Sequence, residues 1–308
     1  MRILLIGVML AAVSAAHGAT LDTETLSDAS KVRGAFLSVG TAARPVGMGE
    51  AFTAVADDAS AASWNPGGLG QVTGPAGMAQ YNAAGPDLSL SHVAGAMPLG
   101  PGVAGLGITL VQLGEYDERD ANGVKTGTKS LMDMAFLGSY AIANPGWLGG
   151  KGWTGGSLEV VNESVAGAMF AASLGGLYPL MPGLRAGWAV QHLGPAVDGF
   201  SLPAVAQAGA AYELSEVMQA ALDAGYGLID KQFFVAVGTE VAAHKMLALR
   251  VGYKYAGDQG VEGLTGVTAG LGVRVGSFGL DYAYQPFGDL AVSHRVALVY
   301  GGPKPAAL

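Results

Sequence analysis

The sequence lacks cysteine and is poor in charged residues. None of its 308 residues is cysteine, which excludes disulfides, thiolate metal sites and a cysteine nucleophile. Charged residues make up 13% of the chain, although soluble domains usually carry about 25%. The 24 acidic residues outnumber the 16 basic ones, and the net charge of −8 argues against nucleic-acid binding. These deficits disfavour an ordinary soluble domain and a nucleic-acid-binding protein.

Long hydrophobic runs are also missing, although half of the residues are hydrophobic. The mean hydropathy of +0.37 suits a membrane protein. No stretch, however, reaches the roughly 18–20 consecutive apolar residues that a membrane-spanning helix needs. A chain of this kind can still cross a membrane as a β-barrel, because a closed sheet satisfies its own backbone hydrogen bonds. The 50 glycines fit that fold as small residues on the inner wall of a plugged barrel.

The first 18 residues have the pattern of a secretory signal peptide. Arg2 supplies a positive charge, and Ile3 to Ala16 form a short apolar run. Ala16 and Gly18 are small residues at the two positions that a signal peptidase reads before a cleavage site. A short membrane anchor is the alternative, but the run is below spanning length. We therefore predict export and removal of residues 1–18.

Residues 19–75 differ in composition from the rest of the chain. They begin with a polar lead and continue as a compact segment rich in alanine and glycine. Asp57 and Asp58 precede an alanine-rich run that ends at Trp64, which predicts one short helix with an acidic N-terminal cap. Asn65-Pro66-Gly67 follows as the turn that ends this helix.

Residues 76–300 alternate between apolar side chains and polar or small ones. In the stretch 277–285, Phe278 and Leu280 share one face, and Gly279 and Asp281 share the other. Such alternation over segments of about ten residues is typical of a transmembrane β-barrel. A soluble antiparallel sandwich also alternates, but a face of charges and glycines would make a poor soluble surface. We predict an all-β barrel of about 14 antiparallel strands over residues 76–300.

The connections between segments predict the orientation of the barrel in the outer membrane. The longest polar connection is Asp117–Lys129, which we predict to be an external loop. The tail of residues 301–308 follows the last predicted strand, so we expect it on the periplasmic side.

Two end motifs resemble a known family. The stretch Gly40–Leu69 resembles the N-terminal signature of the PorV/PorQ family, which is related to the FadL-like (OMPP1/FadL/TodX) outer-membrane transporters. The stretch 280–300 resembles the last hairpin of that family, although this chain continues past Tyr300. The resemblance implies a 14-stranded barrel whose lumen holds residues 19–75 as an N-terminal hatch. It implies a gated route for hydrophobic compounds in FadL-like proteins and a role in type IX protein secretion in PorV-like proteins.

Candidate functional residues of the hatch fall within this signature. Asn65-Pro66-Gly67 matches the hatch motif, and it either positions a gate or only ends the helix. Asp57 and Asp58 cap the helix or bind a cation, although Ca²⁺ takes about 6–8 oxygen ligands. A buried Arg44 is expected to pair with a carboxylate of the inner wall. The hatch candidates are Arg44, Gly47, Met48, Gly49, Asp57, Asp58, Asn65, Pro66 and Gly67.

A second set of candidates lies on the predicted inner wall. Their mixed charge would line a permeation path or form a salt-bridged interface with the hatch, and both alternatives stay open. Carboxylates expected as partners of Arg44 are among them. These residues are Asp133, Arg185, Asp223, Glu240, Arg250, Lys254, Arg274, Asp281 and Arg295.

No catalytic or cofactor-binding pattern is found. The histidines do not form a metal-binding spacing such as HExxH, and no G-x-S-x-G occurs. The pairs Gly105/Gly107 and Gly270/Gly272 lack the third glycine of a dinucleotide loop, so we interpret them as small lumen residues. The sequence therefore predicts neither an enzyme nor a cofactor or a metal.

Three functions remain open at this point. The first is a FadL-like conduit or binder for small hydrophobic compounds, and the second is a PorV-like part in secretion or surface attachment of cargo proteins. The third is a structural surface protein. Each places the exported chain in the outer membrane, with its lipids and the barrel-assembly machinery as partners, and none involves nucleic acid.

Overall fold

A computed structural model describes residues 32–85, 88–146, 149–164, 167–257, 264–289 and 291–302. The predicted signal peptide, the polar lead up to residue 31 and tail residues 303–308 lie outside the described residues.

Fourteen antiparallel strands form a closed barrel, which confirms the predicted fold class and strand number. Each strand pairs with its neighbours in sequence, and the first strand closes the ring by pairing with the last. The strands are β1 (Ala76–Ala83), β2 (Ser89–Leu99), β3 (Gly102–Arg119), β4 (Lys125–Ala143), β5 (Trp153–Glu163), β6 (Gly167–Met181), β7 (Leu184–Leu193), β8 (Val205–Ser215), β9 (Met218–Gly227), β10 (Phe233–His244), β11 (Leu247–Tyr255), β12 (Val267–Val275), β13 (Phe278–Pro286) and β14 (Val292–Tyr300).

The alternation in the sequence separates two faces of the wall. In β14, Val296 and Leu298 are exposed on the outside, whereas Ser293 and Arg295 are completely buried on the inside. Leu158 of β5 is 74% exposed, as expected of a side chain that lies against lipid. No helix among the described residues is long and apolar enough to cross a membrane.

The two ends of the barrel have different connections. At the end where β14 stops, five of the six hairpins have two-residue turns, as between Leu99 and Gly102. We call this the turn end. At the opposite end, which we call the loop end, the connections contain 3 to 11 residues. Outer-membrane barrels usually place short turns in the periplasm and longer loops outside.

The predicted external loop Asp117–Lys129 is wrong in its extent. β3 continues to Arg119 and β4 starts at Lys125, so only residues 120–124 connect them. β3 and β4 are long because they continue to pair with each other beyond the ends of the flanking strands β2 and β5. Exposed ion pairs such as Asp117–Lys125 link the two strands there. Both faces of this hairpin meet water, so its sequence is polar like a loop.

The segment before β1 lies inside the barrel and contains more helix than predicted. It contains two α-helices, α1 (Ala43–Gly47) and α2 (Ala61–Trp64). One 3-10 helix, Ala35–Ser38, precedes α1, and another, Pro66–Gln71, follows α2. The prediction of a single helix missed α1. This helix is possible because Pro45 lies in its first turn, where a backbone N–H has no partner to lose.

Candidate functional site

The hatch, residues 40–72, spans the lumen from one side of the wall to the other. Helix α1 contacts β11 to β14, while the 3-10 helix Pro66–Gln71 contacts β3 to β6 on the opposite side of the ring. Hatch side chains such as Phe52, Val55 and Leu69 are completely buried. The hatch is therefore an integral filling of the barrel in this structure.

Glycines let the hatch backbone lie directly on the wall. A Cβ on Gly47 would lie 3.0 Å from Cα of Gly270, and a Cβ on Gly252 would overlap the backbone of Gly49. Gly67 makes a similar approach to Gly175 on the other side of the lumen. Gly270 also bears out the interpretation of the strand glycines as small lumen residues.

Arg44 joins the hatch to the wall through a chain of ion pairs. Its Nε and Nη2 donate to the two carboxylate oxygens of Glu240 at 2.9 and 3.0 Å, which is a bidentate contact. Its Nη1 donates to Asp57 and Asp58 of the hatch itself. Among the carboxylates expected to pair with Arg44, the structure brings only Glu240 to it within the described residues.

The ion pairs continue along the wall from Glu240. Arg250 donates to Glu240 at 2.6 Å and to Asp281 at 2.7 Å, and Arg274 donates to Asp281 at 2.7 Å. Gly272 makes room for this contact, because a Cβ there would lie 2.6 Å from Asp281 Oδ1. Seven predicted candidates, counting Asp57 and Asp58, thus form one network that links the hatch to β10, β11, β12 and β13.

The buried position of Arg44 changes the acid–base chemistry of the hatch. Burial alone would lower the pKa of Arg44, but attraction by Asp57, Glu240 and Asp58 raises it well above its ordinary value. Burial raises the pKa of the Asp57 carboxyl, against the attraction of Arg44. The network therefore keeps the guanidinium charged although it is buried.

The interpretation of Asp57 and Asp58 as simple helix caps is corrected by these contacts. Helix α2 starts at Ala61 with Ser60 as its cap, and Asp58 accepts hydrogen bonds from Ser60. Both carboxylates also bind Arg44, which a sequence pattern could not show because Arg44 is 13 and 14 residues away.

Asn65-Pro66-Gly67 is more than the predicted turn. α2 does end at Trp64, but Pro66 opens a 3-10 helix that Asn65 caps by accepting from the N–H of Gly67. The amide nitrogen of Asn65 donates to the carbonyls of Thr53 in the hatch and Gly176 in β6. Asn65 therefore fastens the second side of the hatch to the wall.

The other wall candidates contact the hatch separately or not at all. Asp223 accepts hydrogen bonds from the N–H groups of two hatch residues at 2.7 and 2.8 Å. Lys254 forms an ion pair with Glu50 of the hatch, and Arg185 donates to Gln71 of the hatch at 3.0 Å. Among the described residues, Asp133 and Arg295 form no hydrogen bond or ion pair with the hatch: Asp133 accepts from Ser164 N, and Arg295 donates to Gln285.

Several residues of the site were not anticipated from the sequence. The predicted candidate Met48 is buried against Gly238. The sequence analysis did not single out Glu50, Thr268 or Gln191, which also hold the hatch in contact with the wall. Thr268 accepts from the N–H of Gly49, and Gln191 donates to the carbonyls that end α2. The only available signal was their polar side chain at an inward position of a strand.

On the side formed by β2 to β6, the loop end of the lumen is lined by apolar side chains. Phe36 is buried there among inward side chains of β2 to β6 and Leu202 of the β7–β8 connection. We call residues 32–39 the strap, because Gly34 N donates to Glu163 on one side and Arg33 N donates to Ser201 on the other. The wall part of this apolar cluster consists of Leu90, Val111, Ala135, Val161, Met169 and Ala171.

A polar cavity of about 230 Å³ lies on the turn-end side of the hatch. Arg44, Arg185, Glu213 and Glu240 are among its lining residues. Within the described residues, no group of three His, Cys, Asp or Glu side chains is placed to hold a metal ion.

Comparison with solved structures finds this architecture in outer-membrane transporters. The chain is similar to the toluene transporter TbuX of Ralstonia pickettii, at 14% identity and a TM-score of 0.55, over 87% of this chain and 98% of that one. It is similar to a FadL homologue of Pseudomonas aeruginosa, at 11% identity and a TM-score of 0.58, over 84% and 98% of the two chains. The toluene transporter TodX of Pseudomonas putida matches at 13% identity and a TM-score of 0.54, over 78% and 92%.

These similarities establish a FadL-like barrel fold at low sequence identity. No protein-family model matches the chain, and no curated relative matches it. The resemblance to the PorV/PorQ family stays a prediction from the two end motifs.

Proposed function

We propose that this protein is an outer-membrane conduit or binder for small hydrophobic compounds, gated by residues 40–72. The observation that carries the proposal is the apolar cluster on the inner wall at the loop end. A water-filled barrel has a polar interior, yet Val161 and Met169 point inward here and are buried. Apolar inner-wall side chains suit an apolar ligand, because burial of apolar surface is favourable in proportion to its area.

The structural neighbours support the same class of function. TbuX and TodX are described as toluene transporters, and they share the barrel architecture with this chain. On this proposal the chain is exported, is inserted by the barrel-assembly machinery and lies among outer-membrane lipids. Hydrophobic compounds would meet the apolar cluster first and would leave past the hatch.

Uptake of radiolabelled naphthalene by cells whose own hydrocarbon channels are deleted would test the proposal. Expression of the protein should raise the initial uptake rate. Met169→Gln keeps the side-chain size but adds an amide to the apolar cluster, so uptake should fall. Phe170→Leu is the matched control, because Phe170 is the next residue of β6 and lies on the outer face. Equal uptake with and without the protein would contradict the proposal.

The secretion role rests on a different kind of support. It depends on the resemblance of Gly40–Leu69 to the PorV/PorQ family, and no contact among the described residues favours it over transport. Co-purification of a stoichiometric exported protein with the barrel would support the secretion role.

A further inference from the structure

A polar patch on the inner wall is not used by the ion-pair network. Arg295 of β14 is completely buried, and its Nη1 donates to Oε1 of Gln285 at 2.8 Å. In the part of the chain that the structure describes, Arg295 forms no ion pair. The carboxylate that attracts it is Glu50, and Lys254 already binds that carboxylate. The guanidinium is thus a buried cation that no carboxylate of the described residues contacts.

Side chains next to Arg295 share this lack of partners. Asn82 of β1 lies directly opposite Arg295 in the strand register, and Gln80 lies two residues earlier, opposite His92 of β2. All of these side chains are at least nine-tenths buried. Their unpartnered buried atoms among the described residues are Gln80 Nε2 and Oε1, Asn82 Nδ2, His92 Nε2 and Arg295 Nε.

Such a concentration of unpartnered atoms points to a missing ligand. Nearly all buried polar groups in native proteins have a hydrogen-bond partner from protein or ordered water. Here five unpartnered atoms belong to neighbouring positions on three adjacent strands. A single group bound among these side chains would satisfy several of them together.

The chemistry of the atoms indicates the charge of that ligand. The nitrogens of Arg295, Asn82 and Gln80 can only donate hydrogen bonds. His92 Nε2 donates as well when His92 Nδ1 accepts from Thr109 Oγ1, which is 2.9 Å away. Four of the unpartnered atoms are thus donors, one of them on a permanent cation, and only one is an acceptor oxygen, so the patch suits an anion.

We infer that Gln80, Asn82, His92 and Arg295 form a binding site for one small monovalent anion of the halide or carboxylate class. The anion would accept hydrogen bonds from the four nitrogens and neutralise the buried guanidinium. It is either free in solution or the carboxylate of an apolar compound, since Leu90 of the apolar cluster lies next to His92 on the inner face of β2. This site does not depend on the proposed transport.

Bromide is the probe that tests the site directly. Crystals of the mature barrel grown in sodium bromide should show an anomalous difference peak between Arg295 Nε and Gln80 Nε2. Arg295→Gln should abolish the peak, and Gln80→Leu should abolish or weaken it if the first variant fails to assemble. Arg274→Gln is the matched control, because it removes another lumenal cation that is paired with Asp281, and the peak should remain.

The outcomes separate the source of the anion and can overturn the site. Crystals grown without halide would show either an isolated density or a density that continues along Leu90, and these identify a free anion or a carboxylate with an apolar chain. Ordered water alone at this position in bromide-grown crystals would overturn the inference. An undiminished peak in Arg295→Gln would overturn it too.

Discussion

The two ends of the lumen are closed by different physical means. The hatch is held by the ion pairs of Arg44, beside the cavity on the turn-end side, and by backbone contacts at glycines. At the loop end, the strap is held by packing of Phe36 and by few polar contacts. Ion pairs and close backbone contacts have strict geometry, so they hold the hatch in one position. Apolar packing has no such directionality, so another apolar group could take the place of Phe36 in the cluster. On the proposed function, an apolar compound would therefore replace the strap first, and its passage would then require release of the hatch.

The largest effect is expected where the hatch backbone touches the wall. Gly252→Val would place a side chain in the space occupied by Gly49 and Met48. We expect this overlap to prevent the hatch from packing against β11. Because the chain has no cysteine, Ala54→Cys gives a single thiol whose labelling reports on the buried hatch, and labelling should become rapid in the Gly252→Val background.

The matched control for Gly252→Val is Gly138→Val. Gly138 lies on the outer face of β4, and a Cβ there would meet nothing closer than 4.0 Å. This variant should leave the Ala54→Cys thiol protected. Equal protection in both valine variants would show that the glycine contacts do not hold the hatch.

A smaller but still large effect is expected from Arg44→Ala. The change leaves the partly buried carboxylates of Asp57 and Asp58 without their cation, and Glu240 keeps only Arg250. Loss of one partner of a buried ion pair costs about 3–5 kcal/mol. Less denaturant should therefore release the Ala54→Cys thiol, and the hatch should become sensitive to protease.

Single-channel conductance provides a second readout for Arg44→Ala. A loosened hatch should give larger or more frequent openings in a planar bilayer. Arg119→Ala is the control, because Arg119 is an exposed arginine of the β3–β4 hairpin. If conductance and protease resistance both stay unchanged in Arg44→Ala, the ion pairs are not what holds the hatch.

At the loop end, Phe36→Ala should act on access and leave the hatch unchanged. The strap would lose packing worth about 3 kcal/mol, as large-to-small changes of buried aromatic residues do. We expect faster naphthalene uptake, because the apolar cluster would be uncovered, while the Ala54→Cys thiol stays protected. Release of the hatch thiol by Phe36→Ala would show that the two closures are coupled and would break the comparison.

The sequence predicted the wall far better than the lumen. Alternation fixes which side of a strand faces inward, so Glu240, Arg250 and Asp281 were correctly placed on the inner wall before their contacts were known. It does not fix which inward residues meet, because the network joins residues of the hatch to β10–β13 across long stretches of chain. The helix α1 was missed because five residues around a proline carry no periodicity. The polar patch at Arg295 was missed because it joins β1 and β2 to β14, which lies at the other end of the sequence.

The smallest expected effect concerns the charge that anchors the strap. Glu163→Gln keeps an oxygen that accepts from Gly34 N but removes the long ion pair with Arg33, which is 3.9 Å away. Partly exposed ion pairs contribute about 0.2–1 kcal/mol, so naphthalene uptake should rise slightly and by less than in Phe36→Ala. A larger rise in Glu163→Gln than in Phe36→Ala would mean that charge holds the strap. The loop end would then close by the same means as the hatch.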